Sequence, residues 1–196
     1  MTETQNCYIC GAKGKNQVQE YTLCSWCNLN ITHFIKSKTR NILWGSGRID
    51  RGNWVWIKKL LKKYNVNTLL EFGTGLSTEL FSLEGFELMW SLDTHELNIE
   101  SMKKKVNNVN FIYYPFGQLP DLEGLLFDMV FIDGPQGDRS RELAVANKIA
   151  KKVIYCHDWG RCQTYEALDT KWKPLWQGKQ RWAGGEIGQH IFVTEL

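Results

Sequence analysis

The chain has 196 residues, of which 43% are hydrophobic and 23% are charged, and its formal net charge is +3. This length suits one catalytic domain with a small appendage, and so mild a basic balance permits an anionic partner without indicating a dedicated nucleic-acid binder. No apolar run reaches the roughly 18 residues of a membrane helix, and the first residues lack the basic and apolar regions of a signal peptide. We therefore expect a cytoplasmic protein without a membrane partner.

Four cysteines near the start of the chain stand in two pairs. Cys7 and Cys10 form one C-x2-C pair, Cys24 and Cys27 form the other, and 13 residues separate the pairs. Each pair forms a knuckle, and two knuckles complete a tetrahedral thiolate site for Zn²⁺. Four thiolates leave no open coordination position, so this zinc is expected to be structural, and two disulfides are the alternative. The intervening residues leave room for a small hairpin with a returning strand over residues 18–23.

The first quarter of the chain is basic and also contains aromatic residues. Basic residues with exposed aromatics hold single-stranded nucleic acid through phosphate contacts and stacking. Most charge runs are simply solvated, however, and a solvated surface is the favoured interpretation here. We assign residues 1–40 to a four-cysteine zinc-binding element with a linking helix, and residues 41–196 to an α/β domain.

Strand and helix patterns alternate along the rest of the chain. The expected helices cover residues 53–64, 77–83, 97–106, 139–150 and 164–170. The expected strands cover residues 68–72, 87–92, 109–113, 128–132 and 152–156, followed by two final strands over 173–176 and 190–194. This alternation predicts a Rossmann-like, doubly wound, mostly parallel sheet with helices on both faces.

The end of the first of these strands is the most informative segment. Glu71, Gly73 and Gly75 lead directly into a helix that Ser77 helps to open. Glycine takes positive φ and leaves no Cβ in the way, so the backbone can approach a ligand at the helix N-terminus, and a plain tight turn is the alternative. Asp93 follows 20 residues after Gly73, at the spacing where a carboxylate binds ribose hydroxyls in such sheets, although Asp is also a preferred helix cap.

With residues 127–135, Phe-Asp-Met-Val-Phe-Ile-Asp-Gly-Pro, these motifs resemble class I S-adenosylmethionine-dependent methyltransferases over roughly residues 53–196. The competing dinucleotide oxidoreductases carry G-x-G-x-x-G, whose third glycine is replaced here by Thr78. The resemblance implies that S-adenosylmethionine (SAM) is the cofactor. The cofactor-binding residues that it implies are Glu71, Gly73 and Gly75 at the methionine end, Asp93 at the ribose, Phe116 near the adenine, and also Ser77 and Asp133.

Three residues at the carboxyl ends of the fourth and fifth strands of the α/β domain are candidates for catalysis: Asp133, His157 and Asp158. Methyl transfer needs alignment of the nucleophile with the methyl group, and sometimes removal of a proton. His157 is the candidate general base because the ordinary pKa of histidine lies near 6.5. Resemblance to catechol and sugar O-methyltransferases implies instead a Mg²⁺ ion at Asp133 and Asp158, where a histidine is an unusual neighbour because hard ions prefer oxygen. A loop in which Asp158 merely orients His157 is the third interpretation.

The remaining candidates concern the methyl acceptor. Arg139 and Arg141 could clamp a phosphate or carboxylate on the acceptor, and solvation of at least one of them is the favoured interpretation. Cys156 stands where RNA 5-methylcytosine methyltransferases place their nucleophile, but their second cysteine is absent here, which favours a buried, inert thiol. The favoured function is O-methylation of a small molecule or sugar. The alternatives are a nucleic-acid methyltransferase that docks through the basic zinc element, and a non-catalytic zinc-containing binding module.

Overall fold

The computed structural model describes residues 16–18, 21–23, 51–135, 137–159, 168–182 and 185–194. Contacts divide the chain into two compact units, Met1–Ile57 and Lys58–Leu196. The division falls inside helix α1, Arg51–Lys63. The sequence-based boundary at residue 40 separates a zinc element from a catalytic domain, and that assignment stays a prediction.

A small hairpin lies between the two cysteine pairs, where the sequence leaves room for one. Strands β1, Asn16–Val18, and β2, Tyr21–Leu23, pair antiparallel, with Asn16 opposite Leu23. The returning strand is therefore shorter than the expected 18–23. Cys7, Cys10, Cys24 and Cys27 lie outside the described residues, as does the expected linking helix, so the zinc site stays a prediction.

The second unit contains a seven-stranded sheet. Its strands are β3 Thr68–Phe72, β4 Leu88–Asp93, β5 Asn110–Tyr113, β6 Phe127–Ile132, β7 Ala150–Trp159, β8 Lys173–Trp182 and β9 Gly185–Val193. The spatial order is β5-β4-β3-β6-β7-β9-β8. The first five strands in this order are parallel, and β9 runs antiparallel to both of its neighbours. The predicted doubly wound, mostly parallel sheet is confirmed.

Three helices connect the parallel strands: α2 Leu76–Ser82, α3 Glu96–Lys103 and α4 Arg139–Ile149. Each begins and ends within three residues of the range that the sequence predicts. No helix among the described residues is long and apolar enough to cross a membrane.

The core is centred on β6, all six residues of which are buried. Leu70, Val130 and Ile154 stand side by side on three neighbouring strands, and all three are fully buried. The ring of Phe131 packs 5.3 Å from that of Phe81 and 5.2 Å from that of Tyr155, measured between centroids. Burying a large apolar side chain contributes about 1.5–3 kcal/mol. The continuous apolar runs in the sequence are therefore those of strands covered on both faces.

The final hairpin is longer than the sequence predicts. The expected strands cover 173–176 and 190–194, whereas β8 and β9 cover 173–182 and 185–193. The added residues are largely polar and glycine-rich, so they lack the apolar runs that mark the central strands. A hairpin at the margin of a sheet tolerates such residues because one side and one face can remain solvated. Of the helix expected over 164–170, only residues 168–170 are described, and they are not helical.

Asp128 holds three segments together at the opposite end of β6 from its carboxyl terminus. Its Oδ2 accepts the Asn67 N–H at 2.9 Å, and its Oδ1 pairs with Nζ of Lys151 at 2.8 Å and of Lys152 at 3.2 Å. Its own N–H donates to Thr68 Oγ1 at 2.8 Å. Burial acts to raise the pKa of Asp128, but the hydrogen bonds from Lys151, Asn67 and Lys152 outweigh it and bring the pKa to about 2.

We expect Asp128→Asn to destabilise the domain by about 1–3 kcal/mol in denaturant unfolding at neutral pH, because buried charge-assisted hydrogen bonds are lost. A depressed pKa stabilises the folded state above the ordinary value of 3.8, and this contribution is lost as the pH falls toward 2. The difference in the free energy of unfolding between the variant and the wild type should therefore become smaller in acid. Asp121→Asn, at an exposed loop aspartate, is the control, and an unchanged midpoint for Asp128→Asn would contradict the network.

Candidate functional site

The carboxyl ends of four parallel strands lie level at one edge of the sheet. Phe72 of β3 stands opposite both Leu92 of β4 and Ile132 of β6, and Ile132 stands opposite Cys156 of β7. The residues that follow these four positions therefore share the edge: Gly73, Asp93, Asp133 and His157. The strand order also reverses at β3, which is where doubly wound sheets open a crevice for a ligand.

Gly73 and Gly75, the two glycines after β3, differ in what a side chain at each position would contact. Gly73 has φ +97°, and a Cβ built on it would lie 2.7 Å from the carbonyl carbon of Asp133 and closer still to its oxygen. Gly75 has extended backbone, and a Cβ there would meet nothing within 4 Å. The sequence assigns both glycines to a ligand, yet the close approach of Asp133 alone accounts for Gly73. The open space lies beside Gly75.

Glu71 is a fully buried carboxyl group at this edge. Its Oε2 accepts hydrogen bonds from Thr78 Oγ1 at 2.5 Å and Ser91 Oγ at 2.8 Å, whereas its Oε1 accepts none within the described part of the chain. Burial raises the pKa of Glu71 to about 8, against the hydroxyl groups of Ser77, Thr78 and Ser91. Buried polar atoms are rarely left without a partner, so Oε1 suits a donor that a ligand brings.

Thr78 is a site residue that sequence reasoning missed, because the sequence marks it only as the absence of a third glycine. Its hydroxyl donates to Glu71 and accepts the Gly75 N–H at 2.9 Å. A single side chain thus fixes both the carboxyl group and the glycine beside the open space. A hydroxyl three residues after the second glycine of such a turn was the available signal.

Asp93 fastens the glycine loop to the start of α3. Its Oδ2 accepts the Thr74 N–H at 2.8 Å and lies 3.2 Å from Asn98 Nδ2, and its Oδ1 accepts the His95 N–H at 2.7 Å. Burial raises the pKa of Asp93 against these bonds. Because His95 is the N-cap residue, the expected capping role is present in modified form. Oδ1 accepts only one of these three bonds, so it retains capacity for a ligand hydroxyl.

The loop after β5 carries an exposed aromatic ring. Phe116 is 62% exposed, and its ring lies over Gly137, where a Cβ would come within 2.7 Å of it. The N–H of Gly117 donates to Asp138 Oδ2 at 2.9 Å. Arg141 Nη1 donates to Gly117 O at 3.3 Å and pairs with Asp138 Oδ1 at 3.2 Å. Arg141 therefore helps to fasten this loop to the start of α4.

Asp133, His157 and Asp158 come together as the sequence predicts. Asp133 Oδ1 lies 3.1 Å from His157 Nδ1, which lies 3.6 Å from Asp158 Oδ2. Burial lowers the pKa of His157, but the charges of Asp133 and Asp158 outweigh it, and the net shift is upward. A ring nitrogen facing a carboxylate carries the proton, which leaves Nε2 as the proton acceptor of the neutral imidazole.

Arg139 has a role that the sequence does not indicate. The sequence makes it a candidate to clamp the acceptor, but it is buried and makes four hydrogen bonds within the protein. Its Nε donates to Gly134 O at 2.8 Å, Nη1 to His157 O at 2.7 Å and to Asp158 O, and Nη2 to Asp133 Oδ1 at 3.0 Å. The only signal in the sequence is weak, namely an arginine in the first turn of the helix after β6. Arg141 lies in the same turn, so this signal does not distinguish the two residues.

The alternative of a Mg²⁺ site at Asp133 and Asp158 does not fit these contacts. Asp133, His157 and Asp158 do each offer a ligand atom, all within 4.8 Å of one another. Asp133 Oδ1, however, already accepts from Arg139 and faces His157 Nδ1. A guanidinium at this distance repels a divalent cation, and a protonated Nδ1 cannot act as a ligand.

Cys156 is a fully buried residue of β7. Burial raises the pKa of its thiol, and a neutral thiol is a poor nucleophile because the thiolate is the reactive form. The interpretation of Cys156 as a small buried residue is confirmed.

The strand order, the antiparallel β9 inserted between β7 and β8, and the glycine and acid residues at one edge together define the fold of class I SAM-dependent methyltransferases. Solved structures of that class match most of the chain. The O-methyltransferase from Bacillus cereus in complex with SAH has a TM-score of 0.60 at 14% identity, over 76% of this chain and 84% of that chain. The N-methyltransferase NodS from Bradyrhizobium japonicum, in complex with S-adenosyl-L-homocysteine (SAH), has a TM-score of 0.55 at 12% identity, over 81% and 94%.

A third structure, magnesium protoporphyrin IX methyltransferase from Synechocystis with bound SAM, has a TM-score of 0.54 at 15% identity, over 72% of this chain and 77% of that chain. By sequence, the chain matches no family model and no curated protein. At such identities the likeness shows the fold. In these three similar structures the protein binds SAM or its product SAH, and the three include an O-methyltransferase and an N-methyltransferase.

Proposed function

We propose that the protein transfers a methyl group from SAM to an oxygen atom of a small molecule or sugar. The observation that carries the proposal is the buried carboxyl group of Glu71, whose Oε1 accepts no hydrogen bond within the described residues. It stands at the strand edge where doubly wound sheets bind ligands, next to a glycine loop with open space beside Gly75. A ligand with an ammonium group on a short aliphatic chain, such as the methionine part of SAM, matches both features.

The contacts at this edge support the donor-binding roles that we propose. The unused Oε1 of Glu71 would accept a hydrogen bond from the ammonium group of SAM, and the open space beside Gly75 would receive its methionine part. Ser77 lies in the first turn of α2 and contributes to the same subsite. Oδ1 of Asp93 accepts a ribose hydroxyl, and the exposed ring of Phe116 stacks on the adenine.

The acceptor side uses the carboxylate and imidazole at the ends of β6 and β7. The acceptor hydroxyl gives its proton to Nε2 of His157 as its oxygen attacks the methyl carbon. SAM bound at this edge would supply an activated methyl group, with the electron pair of the C–S bond left on sulfur as the neutral thioether of SAH. Asp133 stabilises the resulting imidazolium through Nδ1. Asp158, with Oδ2 3.6 Å from Nδ1, adds negative charge on the same side.

The proposal is tested by calorimetry with SAM and SAH, followed by a labelled-methyl screen across acceptor classes. Binding of both nucleosides and transfer to a hydroxyl compound would support it. Transfer to RNA or DNA with a steep dependence on salt would favour a nucleic-acid methyltransferase. Absence of binding heat with either nucleoside would favour a non-catalytic module.

We expect SAM binding to release close to one proton at neutral pH. The pKa of free Glu71 is raised to about 8, so its carboxyl group is mostly protonated, while an ammonium partner requires the carboxylate. SAM affinity should accordingly rise as the pH approaches 8 and then level off. Calorimetry in buffers with different ionisation enthalpies measures the proton release directly.

Glu71→Gln should abolish this proton release and weaken SAM binding by about tenfold or more, because the charge-assisted bond is lost. Glu87→Gln, at an exposed residue of the loop before β4, is the matched control and should behave like the wild type. Tight SAM binding without proton release in the wild type would show that Glu71 does not meet the ammonium group.

A further inference from the structure

We propose that Arg139 is a positioning residue that takes the place of a divalent cation in this site. Its buried guanidinium joins the ends of β6 and β7 and holds the Asp133 carboxylate against His157. The activity measurement below rests on the proposed methyl transfer, whereas the cation-binding measurement does not.

The first support is the number and origin of the groups that Arg139 contacts. Two belong to the segment that leaves β6, namely Gly134 O at 2.8 Å and Asp133 Oδ1 at 3.0 Å. Two belong to the end of β7, namely His157 O at 2.7 Å and Asp158 O. A single side chain thus joins two strand ends that are adjacent in the sheet but distant in the sequence.

The second support is that only a guanidinium can make this set of contacts. Its planar fork carries five N–H donors in fixed directions, whereas an ammonium group is a compact point charge on a flexible stem. Arg139 is only 6% exposed, so bulk water cannot readily replace a missing donor. Three backbone carbonyls and one carboxylate would otherwise be left at the buried junction.

The third support is the conformation of the residue at the end of β7. Asp158 has φ +48°, a left-handed conformation that residues other than glycine adopt infrequently. Such a conformation persists where surrounding contacts hold it. Arg139 Nη1 donates to the carbonyl groups of His157 and Asp158, which belong to the two peptide groups that flank the Asp158 Cα. It therefore holds the backbone next to the imidazole.

The electrostatic consequence is that Asp133, one of the three potential ligands, already faces an internal cation. Asp133 Oδ1 is shared between Arg139 Nη2 and His157 Nδ1. A divalent ion bound there would have to displace or repel the guanidinium. Removing the guanidinium charge, with a side chain of similar length, should therefore convert Asp133, His157 and Asp158 into a site for a hard cation.

The test uses Mn²⁺ as the probe, because it prefers oxygen and nitrogen ligands and broadens nearby NMR signals. In the wild-type protein we expect the ring proton of His157, assigned with His157→Asn, to stay sharp when Mn²⁺ is added. In Arg139→Met we expect one saturable Mn²⁺ site that broadens this signal. Lys148→Met is the matched control, since it removes a positive charge from an exposed position of the same helix, and it should gain no site.

Arg139→Lys provides the second variant, because it keeps the charge and is the more conservative change. It should gain no Mn²⁺ site, yet kcat should fall about tenfold or more while the KM for SAM changes little, since a lysine cannot hold both strand ends. Saturable broadening of His157 in the wild type would overturn the proposal. So would full activity of Arg139→Lys, or a folded Arg139→Met protein that behaves like Lys148→Met.

Discussion

Replacing His157 with Asn should reduce methyl transfer by about 10²- to 10⁴-fold, the usual contribution of a positioned general base. Asparagine keeps an N–H donor that can face Asp133, but it has no group that accepts a proton at neutral pH. The variant should therefore remain folded and bind SAM with unchanged affinity. Calorimetry and a labelled-methyl assay on the same preparation separate binding from transfer.

The dependence of the transfer rate on pH provides a second test of His157 as the general base. A general base acts only when neutral, so the rate should rise as the pH passes through the pKa of His157. That pKa is raised above its ordinary value of 6.5, because the charges of Asp133 and Asp158 outweigh burial. The rising limb should therefore lie above pH 6.5, and the rate should be low in mild acid.

The Asp133→Asn variant tests whether the charge of Asp133 raises the pKa of His157. It removes the negative charge that raises the pKa of His157, so the rising limb should move to lower pH. The maximal rate should also fall, because the imidazolium formed during transfer loses its partner. A limb that moves upward, or a His157→Asn protein with wild-type turnover, would exclude this histidine as the base.

The features that the sequence predicted well are those with local signals. The apolar runs of β3, β4 and β6 identify buried strands without reference to any partner. Once the sheet is parallel, the residues after each strand must meet at one edge, and this is why Asp93, Asp133 and His157 were found together. No contact between them had to be predicted individually.

The features that were missed depend on partners far along the chain. Arg139 acquires its role from His157, 18 residues away, and from the bend at Asp158. Thr78 is explained only when Ser91 and Glu71 meet on adjacent strands. The length of β8 and β9 reflects pairing between two polar segments, for which hydrophobic periodicity carries no signal. In each case the decisive contacts join segments that are separate in the sequence, and a linear hydrophobic pattern does not contain them.

Replacing Gly73 with Ala should destabilise the domain by about 3 kcal/mol or more, because two costs add. A positive φ costs a residue with a Cβ about 1–3 kcal/mol, and overpacking costs a similar amount. Here φ is +97°, and the new Cβ would lie 2.7 Å from the Asp133 carbonyl carbon, which belongs to the backbone and cannot rotate away. Denaturant unfolding measures the loss, and an unchanged midpoint would contradict the close approach of the segments that follow β3 and β6.

Gly75→Ala is the matched variant in the same motif, with the opposite expected outcome. Its backbone is extended and its Cβ would meet nothing within 4 Å, so stability should stay within about 0.5 kcal/mol of the wild type. SAM affinity should instead fall about tenfold or more, because the methyl group enters the space that we assign to the donor. If Gly75→Ala binds SAM normally, the open space serves another purpose. If it unfolds the protein, the two glycines share one structural role, and their separate assignments fail together.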